Sequence, residues 1–347
     1  MARPRSSLVP FLAMLTALGS CTHLNTPIRE TALARHEFTQ PQMGVAFRIV
    51  LYAPSASKAE GAAAAAFNRI KELNAIMSDY ETESELSRLS RTAGQGAEAP
   101  LSPDLWTILE RSQALARRTG GAFDVTVGPC VNLWRRARRV RELPDPKRLA
   151  EARKAVGYRN LQLNPRTRTA RLLVPGMRLD LGGIAKGYAV DEALKVLRAQ
   201  GIERALVAGD GDIGVGEPPP GRPGWRIGIA TLDVPNAPTN RYVLLKHAAI
   251  STSGDLSQRL EIGGVRYSHL VDPHTGVGVT DHSLVTVIAR DSTTADSLAT
   301  AVSVLGPEKG LKLIDRTPGA AARIVRSPEE RLETYESKPF QSFLDPD

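Results

Sequence analysis

One stretch constrains this chain more than any other: Leu179-Asp180-Leu181-Gly182-Gly183-Ile184-Ala185-Lys186-Gly187-Tyr188-Ala189-Val190-Asp191. The apolar run from Met177 to Leu181 reads as a strand carrying one carboxylate, Asp180. Two glycines follow. Tyr188, Val190, Leu194 and Leu197 then recur at helical spacing, and Gly201 ends the pattern. The expected layout is strand, glycine turn, helix N-terminus. Paired glycines let backbone N–H groups approach a ligand, and a helix start favours negative charge. Such a turn suits a phosphate. It equally suits a plain strand-to-helix connection, and local chemistry does not choose between them. The stretch is neither G-x-G-x-x-G nor a loop ending in G-K-[ST], which excludes the standard nucleotide fingerprints.

The N-terminus bears on location. Arg3 and Arg5 precede an apolar run from Leu8 to Leu18 that is short for a membrane span. Leu18-Gly19-Ser20-Cys21 then sets small residues before a cysteine, as in a bacterial lipobox. Residues 1–20 read as a lipoprotein signal peptide, Cys21 as the lipidated residue, 21–39 as a flexible tether and 40–347 as one folded domain. A lipid-anchored protein facing the periplasm is expected; an ordinary secretory signal with a stray cysteine is the alternative. Without that segment the net charge falls from +8 to +6. A basic surface can attract membranes, nucleic acid or anionic ligands, but no nucleic-acid motif is present and no nucleic-acid partner is expected. Only two cysteines occur, so neither a disulfide nor a zinc cluster is expected.

Along the chain, Val45 to Tyr52 alternates as a strand and Ser55 to Met77 has helical spacing at Phe67, Ile70, Leu73 and Met77. A loop through Asp79 and Tyr80 follows, then a short helix from Ser84. Ser102-Pro103 and Asp145-Pro146 are helix starts, and Gly120-Gly121 a stop. Hairpin-like strands dominate after Leu161, and Thr294 to Ala301 and Pro307 to Ile314 read as helices. Helices and strands alternate without a β-α-β repeat. The fold class is α+β, with largely antiparallel sheets packed against helices.

Two features carry chemistry on their own residues. Asp296 and Thr300 stand four apart in a helical pattern and share a face, with Ala295, Leu298, Val302 and Leu305 largely on the other. A carboxylate and a hydroxyl offer hard oxygens to a cation such as Mg²⁺, although capping is the plainer role for an aspartate near a helix start. Histidine as a residue type titrates near neutrality, so His269 could accept a proton from a hydroxyl, although a lone histidine in a strand is usually structural.

Five motifs occur in one order: 123–134 (F-D-V-T-V-G-P-C-V-N-L-W), 180–191 (D-L-G-G-I-A-K-G-Y-A-V-D), 249–255 (A-I-S-T-S-G-D), 267–276 (Y-S-H-L-V-D-P-H-T-G) and 295–300 (A-D-S-L-A-T). Together they resemble the FAD:protein FMN transferases, the ApbE family, over roughly residues 40–345. The resemblance implies Mg²⁺ held by Asp296, Thr300 and the backbone carbonyl of Gly183. It implies His269 as acid/base, with Asp255 a second candidate. It implies FAD contacts at Met43, Tyr80, Ala122, Phe123, Asp124, Asp180, Lys186 and Val271. The implied reaction transfers FMN from FAD to a Thr or Ser hydroxyl of an electron-transfer flavoprotein, at a D-[GS]-A-[TS] type site, and releases AMP. An FAD pyrophosphatase or a non-catalytic flavin-binding lipoprotein are the alternatives. The chain departs from the family pattern at Val45, at Asp210, at Gln258, at Ala299 (a second acidic ligand in some relatives) and in the run Arg135-Arg136-Ala137-Arg138-Arg139-Val140-Arg141, which replaces a glycine-rich continuation. That basic run is expected to be a solvated loop, one that could still favour an acidic acceptor protein.

Overall fold

Side-chain alternation along Val45–Ala53 divides the core in two. Phe47, Ile49 and Leu51 join a large apolar cluster on one face, whereas Val50 joins a second cluster on the other. The computed structural model describes residues 1, 33–232, 241–254, 259–328 and 331–346.

The described chain opens with a hairpin of β1 (Ala34–Gln42) and β2 (Val45–Ala53), in register from Ala34 opposite Ala53 to Gln42 opposite Val45. Met43 and Gly44 make its two-residue turn, both at positive φ (49° and 77°). The folded domain thus begins ahead of the boundary expected at residue 40, since β1 already starts at Ala34. β1 is polar, with Phe38 its one large apolar side chain, and it forms because β2 offers a free edge to pair with. Residues 1–20 and Cys21, apart from Met1, lie outside the described residues.

Helix α1 (Ala56–Met77) starts at Ser55, whose Oγ accepts the Lys58 N–H at 3.3 Å. Helix α2 (Glu85–Arg91) follows, then β3 (Ala99–Pro100) and α3 (Pro103–Thr119), which ends at a left-handed Gly120. Helix α4 (Gly128–Val140) contains most of the arginine run, so that run is helical, not a loop. Arginine is a good helix former and no glycine interrupts it. Helix α5 (Pro146–Lys154) is capped by Asp145. Strands β4 (Leu161–Asn164) and β5 (Thr169–Leu172) join β3 in a small sheet with β5 in the middle.

Helix α6 (Ala185–Ala199) leads into β6 (Ala205–Gly209), β7 (Asp212–Val215), β8 (Trp225–Gly228), β9 (Tyr242–Leu245), β10 (Ala248–Gly254), β11 (Arg259–Ile262), β12 (Val265–Ser268) and β13 (Ser283–Ala289). Then come α7 (Ser292–Asp315), β14 (Ala321–Arg326) and β15 (Glu333–Glu336). Backbone geometry leaves the helical region at Gly306, just before Pro307, so α7 is two helices end to end, as the sequence pattern implies.

Among the described residues the central sheet has eight antiparallel strands in the order β1-β2-β6-β7-β10-β13-β14-β15. Apolar residues of α1, α6 and α7 build the larger cluster; Trp225, Ile227, Val243, Leu245 and Phe340 build the smaller one on the opposite face. The α+β expectation holds. The run from Met177 to Leu181 is not a sheet strand: it is extended chain with one isolated parallel bridge, Arg178 to Val127, and the Asp180 N–H donates to the Val125 carbonyl at 2.8 Å.

Candidate active site

The glycine turn sits where α6 meets α7, and missing side chains make that meeting possible. A Cβ on Gly187 would come within 2.3 Å of the Ser292 carbonyl oxygen and 2.8 Å of Asp296 Cβ. A Cβ on Gly183 would come within 2.7 Å of Thr300 Oγ1. Both approaches exclude any larger residue. They bring the turn directly against the Asp296–Thr300 face of α7. The Gly187 N–H donates to Asp296 Oδ2 at 3.0 Å. One turn further along α6, Asp191 accepts the N–H groups of Ser292 and Thr293 at 2.7 and 2.9 Å. It thus satisfies donors that the start of α7 leaves open.

Lys186 lies in the same place. Its Nζ is 2.6 Å from Asp212 Oδ2, and Ser251 Oγ donates to Asp212 Oδ1 at 2.5 Å. Burial alone would lower the Lys186 pKa, but the Asp296 and Asp212 carboxylates outweigh it and keep the ammonium charged. Asp296 is 2 % exposed. Burial and then the neighbouring Asp212 push its pKa up to about 7, against the pull of Lys186 and the Gly187 N–H. The carboxylates outnumber the single lysine, so the cluster is short of positive charge. A buried carboxyl that holds a proton so far above its ordinary range is also one from which a cation can displace that proton. These hard oxygens beside a backbone with no side chain fit a divalent cation such as Mg²⁺. Among the described residues no group of three His, Cys, Asp or Glu side chains could hold a metal; a site here needs backbone and hydroxyl oxygens.

A second set of residues lies on the other side of the turn. Asp180 Oδ1 accepts the Gly182 N–H at 2.8 Å, and Asp180 Oδ2 is 2.8 Å from Arg135 Nη2. Arg135 also pairs with Asp79 through its other terminal nitrogen. Its guanidinium carbon is 4.2 Å from the centre of the Tyr80 ring. Burial, reinforced by the Asp79 charge, raises the Asp180 pKa, while Arg135 opposes this. Tyr80 is 76 % exposed, open enough to receive a planar ring.

Other residues named from sequence have mostly structural surroundings. Asp124 accepts the Thr126 N–H and hydroxyl at 2.8 and 2.7 Å and the Tyr158 N–H at 2.7 Å. Ala122 and Phe123 are buried, Phe123 in the larger core cluster. Val271 packs with Cys130, Trp134 and Leu260. Met43 packs at the edge of the main core. His269 is half-buried in the bend after β12. That strand is fastened to α4 by Tyr267 on Trp134, with ring centres 5.0 Å apart, so the histidine loop belongs to the α4 side. Asp255 and Gln258 lie outside the described residues. Asp210 has φ 58° in the turn between β6 and β7, a conformation that aspartate tolerates and glycine favours. This accounts for the glycine commonly found there.

Sequence reasoning missed Asp79, Arg135, Asp212, Ser251 and Asp191. Asp212 carried a signal, since it is the only carboxylate in 211–215, where Ile213 and Val215 mark a strand. Arg135 carried none. A cavity of about 760 Å³ lined by Gln113, Tyr158, Arg159 and Arg171, among others, contains none of the residues named for chemistry.

Comparison with known proteins shows the family and the fold. The model of the ApbE family matches residues 43–324. A FAD:protein FMN transferase of Vibrio cholerae is 32% identical over 338 residues, covering 96% of this chain and 97% of that protein. One of Haemophilus influenzae is 34% identical over 283 residues, covering 80% of this chain and 81% of its own. Among solved structures, the flavin transferase ApbE from Vibrio cholerae superposes with a TM-score of 0.80 at 29% identity, over 90% of this chain and 99% of that one. The ApbE protein of Thermotoga maritima superposes with a TM-score of 0.79 at 30% identity, over 89% and 99%.

Proposed function

The chain belongs to the ApbE family, and from that premise we propose that it transfers FMN from FAD to a hydroxyl of an acceptor protein and releases AMP. One observation carries the reading: the glycine turn lies directly against Thr300 and Asp296, with Lys186 beside them, so one small space offers oxygens for a cation and an ammonium for a phosphate.

Asp296, Thr300 and the Gly183 backbone would hold Mg²⁺, which supplies charge neutralisation to a bound diphosphate. Lys186 adds a fixed positive charge beside that diphosphate, and Asp212 with Ser251 holds the lysine in place. On the other side of the turn, Tyr80 offers a ring face and Asp180 a buried carboxylate to the nucleotide portion of FAD. His269 takes the proton of the acceptor Thr or Ser hydroxyl as that oxygen attacks the FMN phosphorus. The P–O bond to AMP breaks, the AMP phosphate oxygen leaves with the bond electrons, and the flavin stays on the acceptor as a phosphoester. The acceptor is an electron-transfer flavoprotein. The segment ahead of Leu33, with Arg3, Arg5, the Leu8–Leu18 run and Cys21, supports attachment to a membrane by lipid on its periplasmic side. Among the described residues no helix is long and apolar enough to cross a membrane.

The test is to mix the protein with FAD, Mg²⁺ and an acceptor carrying a D-[GS]-A-[TS] site. Flavin fluorescence that stays with the acceptor after denaturation, with AMP released in equal amount, is the expected result. Free FMN and AMP without a labelled acceptor would make the protein a pyrophosphatase instead.

A further inference from the structure

We propose that Arg135 is a positioning residue for FAD, one that clamps Tyr80 and Asp180 into the arrangement the nucleotide needs; this rests on the flavin reading above. The arginine run does two separate jobs because it is a helix. Trp134 and Ala137 are buried, and the Trp134 indole N–H donates to the Gly276 carbonyl at 2.8 Å, which fixes the rotation of α4. With that rotation set, Arg136 and Arg139 face solvent, while Arg135 turns toward the 78–81 loop and the glycine turn. Arg138 follows three residues after Arg135, on the same flank. Its Nη1 is buried with no hydrogen-bond partner, and burial lowers its pKa.

Arg135 bonds to both carboxylates and stacks on the ring between them. Asp79 immediately precedes Tyr80, so the Asp79 ion pair anchors the backbone that carries the ring. The Asp180 ion pair anchors the residue whose other oxygen holds the Gly182 N–H. One guanidinium therefore couples the ring platform to the glycine turn. The stack at 4.2 Å covers one face of Tyr80, and the ring is still 76 % exposed. An incoming planar ring can take the open side, with Arg135 supporting it from behind. A lysine cannot substitute, because it lacks the planar fork that meets two carboxylates and a ring at once.

The experiment titrates FAD into the full-length protein and follows quenching of flavin fluorescence. The proteins are the wild type, Arg135→Ala, Arg135→Lys, Tyr80→Leu, the Arg135→Ala/Tyr80→Leu double variant and Arg136→Ala. Arg135→Ala is expected to raise the Kd for FAD at least about fivefold, the loss of one stacked and ion-paired guanidinium. In the transfer assay its KM for FAD rises while kcat at saturating FAD changes less than about twofold. Arg135→Lys, which keeps the charge and guards against a folding defect, restores less than half of the lost affinity. Arg136→Ala binds like wild type. In the Tyr80→Leu background, Arg135→Ala has most of its effect removed, because the two act together. Wild-type affinity in Arg135→Ala, full rescue by lysine, or an undiminished effect without Tyr80 would each overturn the proposal while leaving the flavin reading intact. A wild type that does not bind FAD would overturn both.

Discussion

The two sides of the glycine turn are built from opposite materials. The α6–α7 side is made of backbone and short side chains: Gly183 against Thr300, the Gly187 N–H on Asp296, and Asp191 on the first amides of α7. The α4 side is made of one long side chain, Arg135, reaching from its own helix to Asp79, Tyr80 and Asp180. The first is close-packed, with Asp296 buried, so it has little room to adjust. The second is partly exposed and held by charge and stacking, so it can move when a ligand arrives. A site that must fix a diphosphate to within ångströms, yet let a large ring in and out, needs both.

The sharpest way to break the contrast is on the rigid side. Asp296→Asn should lower transfer by about 10³-fold, the scale seen when an electrostatic element of a transition state is lost, while circular dichroism stays native. A milder loss would mean that the α7 carboxylate does not hold the cation. Asp212→Ala removes the carboxylate that Lys186 Nζ contacts and leaves Asp296 as the remaining counter-charge, so stability should fall by about 1–3 kcal/mol; urea unfolding measures it. Gly183→Ala drives a methyl into Thr300 and should cost about 1–3 kcal/mol, with loss of transfer exceeding the loss of stability.

A pH comparison sharpens the same side. Folded, metal-free protein keeps the Asp296 proton up to about pH 7, whereas the unfolded chain releases it near pH 4. The folded state therefore binds more protons in that window, and the metal-free protein loses stability as pH rises through it. If Mg²⁺ replaces that proton, as proposed, the rise in Tm on adding Mg²⁺ should be larger near pH 8 than near pH 5. An equal rise at both would separate the cation from Asp296. On the adaptable side, Tyr80→Leu should weaken FAD binding by about 3- to 10-fold with Tm unchanged, because the ring is mostly exposed. A large fall in Tm would make Tyr80 a packing residue instead.

Much of the rigid side could be read from sequence for the reason that makes it rigid. Close backbone approach demands glycine, and an aspartate and a threonine four apart share one helix face; both features sit on short stretches, 180–191 and 295–300. Boundaries of most helices were likewise visible in local caps, as at Ser55, Ser102-Pro103 and Asp145-Pro146. The adaptable side was legible only in part: Tyr80 and Asp180 were named through the family resemblance, but the arginine that joins them was not. Whether Arg135 is solvated or clamped depends on the rotation of α4, and that is set by Trp134 reaching Gly276, far along the chain. β1 escaped for a related reason: its pairing is dictated by β2, not by its own polar residues.

The most direct measurement is a crystal structure with FAD and Mn²⁺, read by anomalous scattering. The account predicts a peak within about 2.5 Å of oxygens from Asp296 and Thr300, touching the diphosphate, with a ring of the same FAD molecule on Tyr80. A metal bound away from Asp296, or a dinucleotide that reaches only one side of the glycine turn, would contradict it.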